Sequence, residues 1–159
     1  MSKFRAVACA LAACTLSAAT IGAASAAEVT VKVTKIEAVD KADAFSKGDF
    51  YARITIDGEA TKTNPVKQTE SITPNWSVTK TVAGGTVNVK LEVYDKDVSS
   101  DDPIDINRVD NKRDLDFTVN TRNCRVNGFA NNYKCGSTIV RAGKEKKSAE
   151  VTFTVSVKK

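Results

Sequence analysis

The sequence contains no histidine. That removes the one side chain whose unperturbed pKa lies near neutrality, every His-bearing catalytic triad and most zinc ligand sets. No nucleophile accompanied by a base and a third orienting group is visible, so no enzymatic activity is expected. Beyond the first two dozen residues no apolar run approaches 18 residues, and no transmembrane helix is expected there. Sustained 3.6-residue periodicity is missing as well, which argues against a helical bundle. There is no internal repeat, and no low-complexity tract beyond residue 27.

What is there begins with a leader. Met1-Ser2-Lys3-Phe4-Arg5 precedes an Ala/Leu/Val/Ile-rich stretch from Ala6 to about Ala23. Ala24-Ser25-Ala26-Ala27 then forms an A-x-A-like cleavage site before Glu28. The pattern is that of a secretory signal over residues 1–27 and predicts a secreted or periplasmic protein. A rival reading takes Leu11-Ala12-Ala13-Cys14 as a lipoprotein box, which would tether the chain through a lipid on Cys14. Residues 28–159 remain, about 132 in number, enough for a single sandwich, barrel or bundle.

Net charge is small. Of 24 basic residues Lys3 and Arg5 belong to the leader, which leaves 22 against 19 acidic ones. The charges are segregated: aspartates gather at positions 40–49 and 95–105, and Arg141, Lys144, Lys146, Lys147, Lys158 and Lys159 crowd the C-terminal end. Without interleaved aromatics this basic cluster is a poor nucleic-acid signature, and no nucleic-acid partner is expected. It reads as a solvated hairpin that adds attraction to an anionic lipid surface. With Cys9 and Cys14 in the leader, Cys124 and Cys135 are the only mature cysteines. Close in sequence and in an oxidising compartment, they predict a disulfide that stabilises by about 3 kcal/mol on the chain-entropy model.

The mature chain alternates apolar and polar residues at period two. Val29, Val31 and Val33 begin a strand that continues to Ile36 and Ala38 after a phase shift of the kind a bulge produces. Phe50, Ala52, Ile54 and Ile56 form a second, closed by the hairpin signal Asp57-Gly58. Weaker strands follow near 60–63 and 66–71. Further strands are marked by Trp76 and Val78, by Val87 to Val93, by Leu115 to Val119, and by Val151 to Val157 paired with Thr138–Arg141. Seven to nine short strands separated by turns predict an all-β fold, an eight-stranded antiparallel β-sandwich. The segment Arg108–Asp114 and the loop between the cysteines read as surface excursions.

Asp43 and Asp49 precede the second strand by seven residues and one, and Asp95, Asp97, Asp101 and Asp102 follow the end of the Val87–Tyr94 strand. If those strand ends share a pole, five or six carboxylates converge, and like charges so close need a cation among them. A hard divalent ion taking six to eight oxygens answers that need, and Ca2+ suits flexible loops better than Mg2+. An EF-hand does not fit. In a loop counted from Asp95, the sixth place is Ser100 instead of glycine and the twelfth is Ile106 instead of glutamate.

Three segments carry a family resemblance. Asp43-Ala44-Phe45-Ser46-Lys47-Gly48-Asp49-Phe50-Tyr51 resembles the first calcium loop of the C2-type calcium- and phospholipid-binding domain. Thr73-Pro74-Asn75-Trp76-Ser77 is similar to its asparagine-proline-x-tryptophan-asparagine segment. Val93-Tyr94-Asp95-Lys96-Asp97-Val98-Ser99-Ser100-Asp101-Asp102-Pro103-Ile104 resembles its third loop. Order and spacing match over roughly Val29 to Phe117, although Phe50 replaces the usual proline, Thr73 the asparagine, and the third loop is one residue short. Either Asp101 or Asp102 is then the closing ligand, with Asp102 preferred.

The resemblance implies one or two Ca2+ ions held by Asp43, Asp49, Asp95, Asp97 and Asp102, with Ser99 or backbone carbonyls completing the shell. Those ions would bridge to anionic lipid headgroups or an envelope surface. Phe45 and Val98 would lie at loop tips that touch the membrane. The alternative is a secreted structural or protein-interaction sandwich in which calcium is only structural or absent. Trp76, Phe50, Phe117 and Phe153 read as core residues. Phe129 and Tyr133, inside the cysteine loop, either pack locally or form a recognition surface.

Overall fold

A computed structural model describes residues 25–39, 49–67, 71–96 and 100–159. Thirteen strand segments make up the described fold: β1 (Ala26–Ala38), β2 (Asp49–Ile56), β3 (Glu59–Lys62), β4 (Val66–Lys67), β5 (Ser71–Ile72), β6 (Trp76–Ala83), β7 (Thr86–Lys96), β8 (Asp102–Ile104), β9 (Leu115–Asn120), β10 (Arg125–Asn127), β11 (Tyr133–Lys134), β12 (Ile139–Ala142) and β13 (Ala149–Lys158). Eight of them have four residues or more, and the other five are segments of two or three. All ladders between them are antiparallel. No described helix is long and apolar enough to cross a membrane.

Two sheets pack face to face, as the alternation predicts. The first runs β12-β13-β1-β6, with β5 also on β1; the second runs β11-β10-β9-β7-β2-β3, with β4 on β2 and β8 on β7. In β1 the inward residues Val29, Val31 and Val33 are followed by Ile36, three positions on, and all four are fully buried. The register against β13 shifts between Val33 and Lys35, so one extra residue restores the inward phase. Asp57 and Gly58 adopt φ of 52° and 81°, the left-handed pair that a type I′ turn needs to join twisted β2 and β3. Ala26 and Ala27 lie opposite Ala83 and Val82. The last two positions of the expected leader are thus sheet residues, and residues 1–24 lie outside the described ones.

The core joins Phe50, Ala52, Ile54 and Ile56 of β2 and Val87, Val89, Leu91 and Val93 of β7 to the valines of β1 and to Val151, Phe153 and Val155 of β13. Trp76, Phe50, Phe117 and Phe153 are all buried, as expected. Cys124 and Cys135 form the predicted disulfide, with Cα atoms 5.3 Å apart. The loop they close is more than an excursion. Its Phe129 ring lies 5.4 Å from Phe117 on one sheet and 6.3 Å from Phe153 on the other, and meets Tyr133 edge-on at 6.0 Å. The Arg141 guanidinium covers Phe129 from outside at 5.0 Å. Phe129 and Tyr133 therefore seal the seam between the sheets, and packing accounts for both.

Candidate functional site

The start of β2 and the end of β7 lie side by side because the two strands are antiparallel. Phe50 stands opposite Asp95, and Asp49 opposite Lys96. β8 then returns along the other side of β7, with Asp102 opposite Asp95 and Ile104 opposite Val93. Directly opposed residues point to the same face. Asp95 and Asp102 thus share the side of Phe50 and Ile104, at the mouth between the two sheets, and the Oδ1 atom of Asp95 is buried there. Asp49 has the opposite parity. So does Tyr51, whose hydroxyl donates a 2.5 Å hydrogen bond to Oδ2 of Asp101.

Four of the six expected aspartates, Asp49, Asp95, Asp101 and Asp102, are therefore brought to one end of the sandwich but divided between two faces of a sheet. Asp43 and Asp97, with the proposed tip residues Phe45 and Val98, lie outside the described residues. Among the described residues no three carboxylates or thiols gather closely enough to hold a metal ion by themselves.

Part of the cationic charge that the aspartates require comes from the chain. The ammonium of Lys62 on β3 lies 3.8 Å from Asp101 Oδ2. Lys147, in the loop joining β12 to β13, places Nζ 2.5 Å from Asp102 Oδ2. No sequence signal pointed to either contact, since Lys147 and Asp102 are 45 residues apart. The basic hairpin keeps Lys144 and Lys146 exposed, as expected, and is docked as well. Lys144 pairs with Asp110 at 2.6 Å, and Glu145 with Arg113 at 3.6 Å.

Asp105 explains the docking. It is fully buried, and its carboxylate accepts three backbone N–H groups: Asn107 on Oδ1, and Lys144 and Glu145 on Oδ2, each at 2.8 Å. Its own N–H donates to the Lys147 carbonyl, and its carbonyl accepts from Ala149, both at 2.8 Å. Gly143 is required here: a Cβ on it would stand 2.2 Å from the Asp105 carbonyl oxygen and 2.6 Å from its carboxylate carbon. This aspartate, one of the acidic cluster in the sequence, is a structural clamp between the sheets.

Beside the pole, the outer face of the second sheet carries a saturated polar network. Tyr51 and Tyr94 stack with centroids 5.4 Å apart, and Arg53 lies over Tyr94 at 5.0 Å. Arg53 also grips the buried Glu92 with Nε at 2.6 Å and Nη2 at 2.5 Å. Burial raises the Tyr51 hydroxyl pKa, and the hydrogen bond to Asp101 raises it further. Burial alone would also raise the Glu92 carboxyl, but the hydrogen bonds from Arg53 and Tyr94 and the charge of Arg53 outweigh it and hold the carboxyl below its ordinary value.

A folded-state pKa below the unfolded one gives stability that is present above the unfolded value of about 4.3 and lost as pH falls through the folded value. Urea unfolding from pH 6 to 3 should therefore show wild-type stability falling with acid more steeply than that of Glu92→Gln. Parallel curves would remove Glu92 from the acid response.

The fold has counterparts among known proteins. The family profile of the C2 domain matches residues 27–120. Among solved structures, one described as a C2 domain aligns with a TM-score of 0.55 at 11% identity, covering 84% of this chain and 99% of that one. Human GIVD cytosolic phospholipase A2 in complex with a fluorophosphonate aligns with a TM-score of 0.53 at 17% identity over 84% of this chain. This chain spans only 17% of that enzyme's length. The calcium-bound pair of C2 domains from extended synaptotagmin 2 aligns at 0.54 and 11% identity, covering 82% of this chain and 45% of that one. At such identities the likeness concerns the fold. No curated protein matches the chain by sequence.

Proposed function

The chain belongs to the C2-domain family, and from that premise we propose that it is an exported, non-enzymatic binding module whose acidic pole takes up Ca2+ and bridges it to an anionic lipid or cell-envelope surface. The observation that carries this reading is the meeting of β2, β7 and β8. Asp49 and Asp95 lie at adjoining strand ends, Asp102 stands opposite Asp95, and one Asp95 oxygen is buried at that mouth. An all-oxygen donor set on loops suits a hard cation with a large, flexible shell. Asp43, Asp49, Asp95 and Asp97 would hold the ion, with Asp102 or Asp101 closing the shell, and Phe45 and Val98 would contact the apolar edge of the surface. Bound Ca2+ would supply positive charge for phosphate or carboxylate groups. The calcium-bound state of extended synaptotagmin 2 supports the same choice of ion. Export rests on the leader pattern, and the absence of histidine supports a binding role over a catalytic one.

A second reading, a secreted interaction sandwich with little use for calcium, is favoured by Lys62 and Lys147, which already offset charge on Asp101 and Asp102. Thermal unfolding separates the two. A ligand bound only by the folded state raises its stability by mass action. With about 1 mM Ca2+, the concentration range of extracellular modules, the melting temperature should rise relative to chelator and to Mg2+. The double variant Asp95→Asn, Asp97→Asn should lose that rise and keep its β-type circular dichroism. A double variant that responds to Ca2+ like wild type would overturn the ligand assignment, and a wild type that does not respond would favour the second reading.

A further inference from the structure

We infer that Lys147 is a built-in counter-ion of the acidic pole, which a divalent metal must displace from Asp102, so that the β12–β13 loop sets the metal affinity of the site. The inference rests on the calcium reading above and goes beyond it, because it gives control of the site to a residue of the opposite sheet, outside residues 27–120 that match the family.

The loop is constructed to deliver this side chain. Lys147 has φ of 58°, a left-handed conformation uncommon for a residue with a side chain and one that its surroundings must impose. They do so on both sides. Its carbonyl is held by the Asp105 N–H, and the following residue, Ser148, bridges to Asp105 across the sheets. Upstream, the buried carboxylate of Asp105 fixes the N–H groups of Lys144 and Glu145, and Gly143 permits the close approach. The side chain thus leaves from a fixed point and reaches Asp102 Oδ2 at 2.5 Å.

Asp102 faces Asp95 directly, so this ammonium stands where a metal shared by those carboxylates would draw on the same oxygen. An ammonium hydrogen bond and a metal bond compete for that lone pair, and the two cations repel each other. Occupation by metal therefore requires the lysine to swing away. The two side chains are 43% and 39% exposed, so the competing contact has the modest strength of a partly solvated ion pair.

The experiment compares Ca2+ binding by calorimetry to purified wild type, Lys147→Gln and Lys147→Arg, with Asp102→Asn as a further background. Removing the ammonium should tighten Ca2+ binding about three- to fivefold, and Lys147→Arg, which keeps the charge, should bind like wild type. The gain should vanish in the Asp102→Asn background. A second readout follows Lys147 itself: its amine should become more reactive to an acetylating reagent when Ca2+ is added, whereas Lys158 should not change. Equal affinity in wild type and Lys147→Gln, with unchanged Lys147 acetylation, would overturn the inference and leave the calcium reading intact. If no variant takes up Ca2+, both fall together.

Discussion

Replacing Asp105 by alanine should destabilise the protein by about 3 kcal/mol, which for a domain of this size lowers the melting temperature by roughly 10 °C. The carboxylate is fully buried and accepts the N–H groups of Asn107, Lys144 and Glu145. Alanine would leave all three without that acceptor. Hydrogen bonds to a charged group are worth about 1.5–3 kcal/mol each, and an N–H stranded from water adds its desolvation cost. Solvent reaching the Lys144 and Glu145 amides in a loosened loop limits the total. Asp105→Asn keeps one acceptor but turns an NH2 group toward the other donors, and should cost about half as much. Because Asp105 also holds the loop that presents Lys147, both variants should raise acetylation of the Lys147 amine. Denaturant unfolding of the three proteins is the direct measurement. An alanine variant within about 0.5 kcal/mol of wild type, the usual range for an inconsequential surface change, would show that the clamp contributes nothing.

Phe153→Ala should cost about 3–5 kcal/mol, the range for a large aromatic removed from a closed core. Phe153 is fully buried on β13, with its ring centroid 5.6 Å from Phe117 of the opposite sheet and 6.3 Å from Phe129 of the disulfide loop. Truncation loses the transfer free energy of the ring and opens a cavity among side chains held by two sheets, which cannot close in fully. It also withdraws one of the three rings that meet Phe129, so the loop between the cysteines should become more open to proteolysis. Phe129→Ala, whose ring is covered on one side only by Arg141, should cost less. The comparison is made by denaturant midpoints at constant m-value. A Phe129→Ala variant as destabilised as Phe153→Ala would shift the weight of the seam from the sheets to the loop.

The acid behaviour of Glu92 is separable from that of Asp95 because the two side chains occupy opposite faces of β7. Glu92 and Tyr94 point outward with Arg53, whereas Asp95 follows the parity of Phe50 and turns to the mouth between the sheets. One strand therefore carries an internally neutralised network on one side and the Asp95 carboxylate, facing Asp102 of β8, on the other. Lys90 extends the neutral network, with its ammonium pKa raised first by the hydrogen bond to Asp114.

The sequence alone was enough to read the architecture. Alternation at period two is a property of each strand by itself, so the inward sets of β1, β2, β7, β9 and β13, the bulge after Val33 and the Asp57-Gly58 turn could all be read locally. With Cys9 and Cys14 in the expected leader, the two remaining cysteines left one pairing. The aspartate spacing and the three segments resembling C2 loops were legible for the same reason, since ligand loops are short and contiguous.

Only the tertiary structure decided which charges meet. Strand register and the docking of the β12–β13 loop set Asp102 against Lys147 across 45 residues, Asp101 against Lys62 and Tyr51, and Asp105 into the interior as a clamp. They also packed the partly buried Phe129 of the disulfide loop against the core. A side chain's identity shows its charge or its size, but its partner is chosen by how distant segments pack, and no local pattern records that choice.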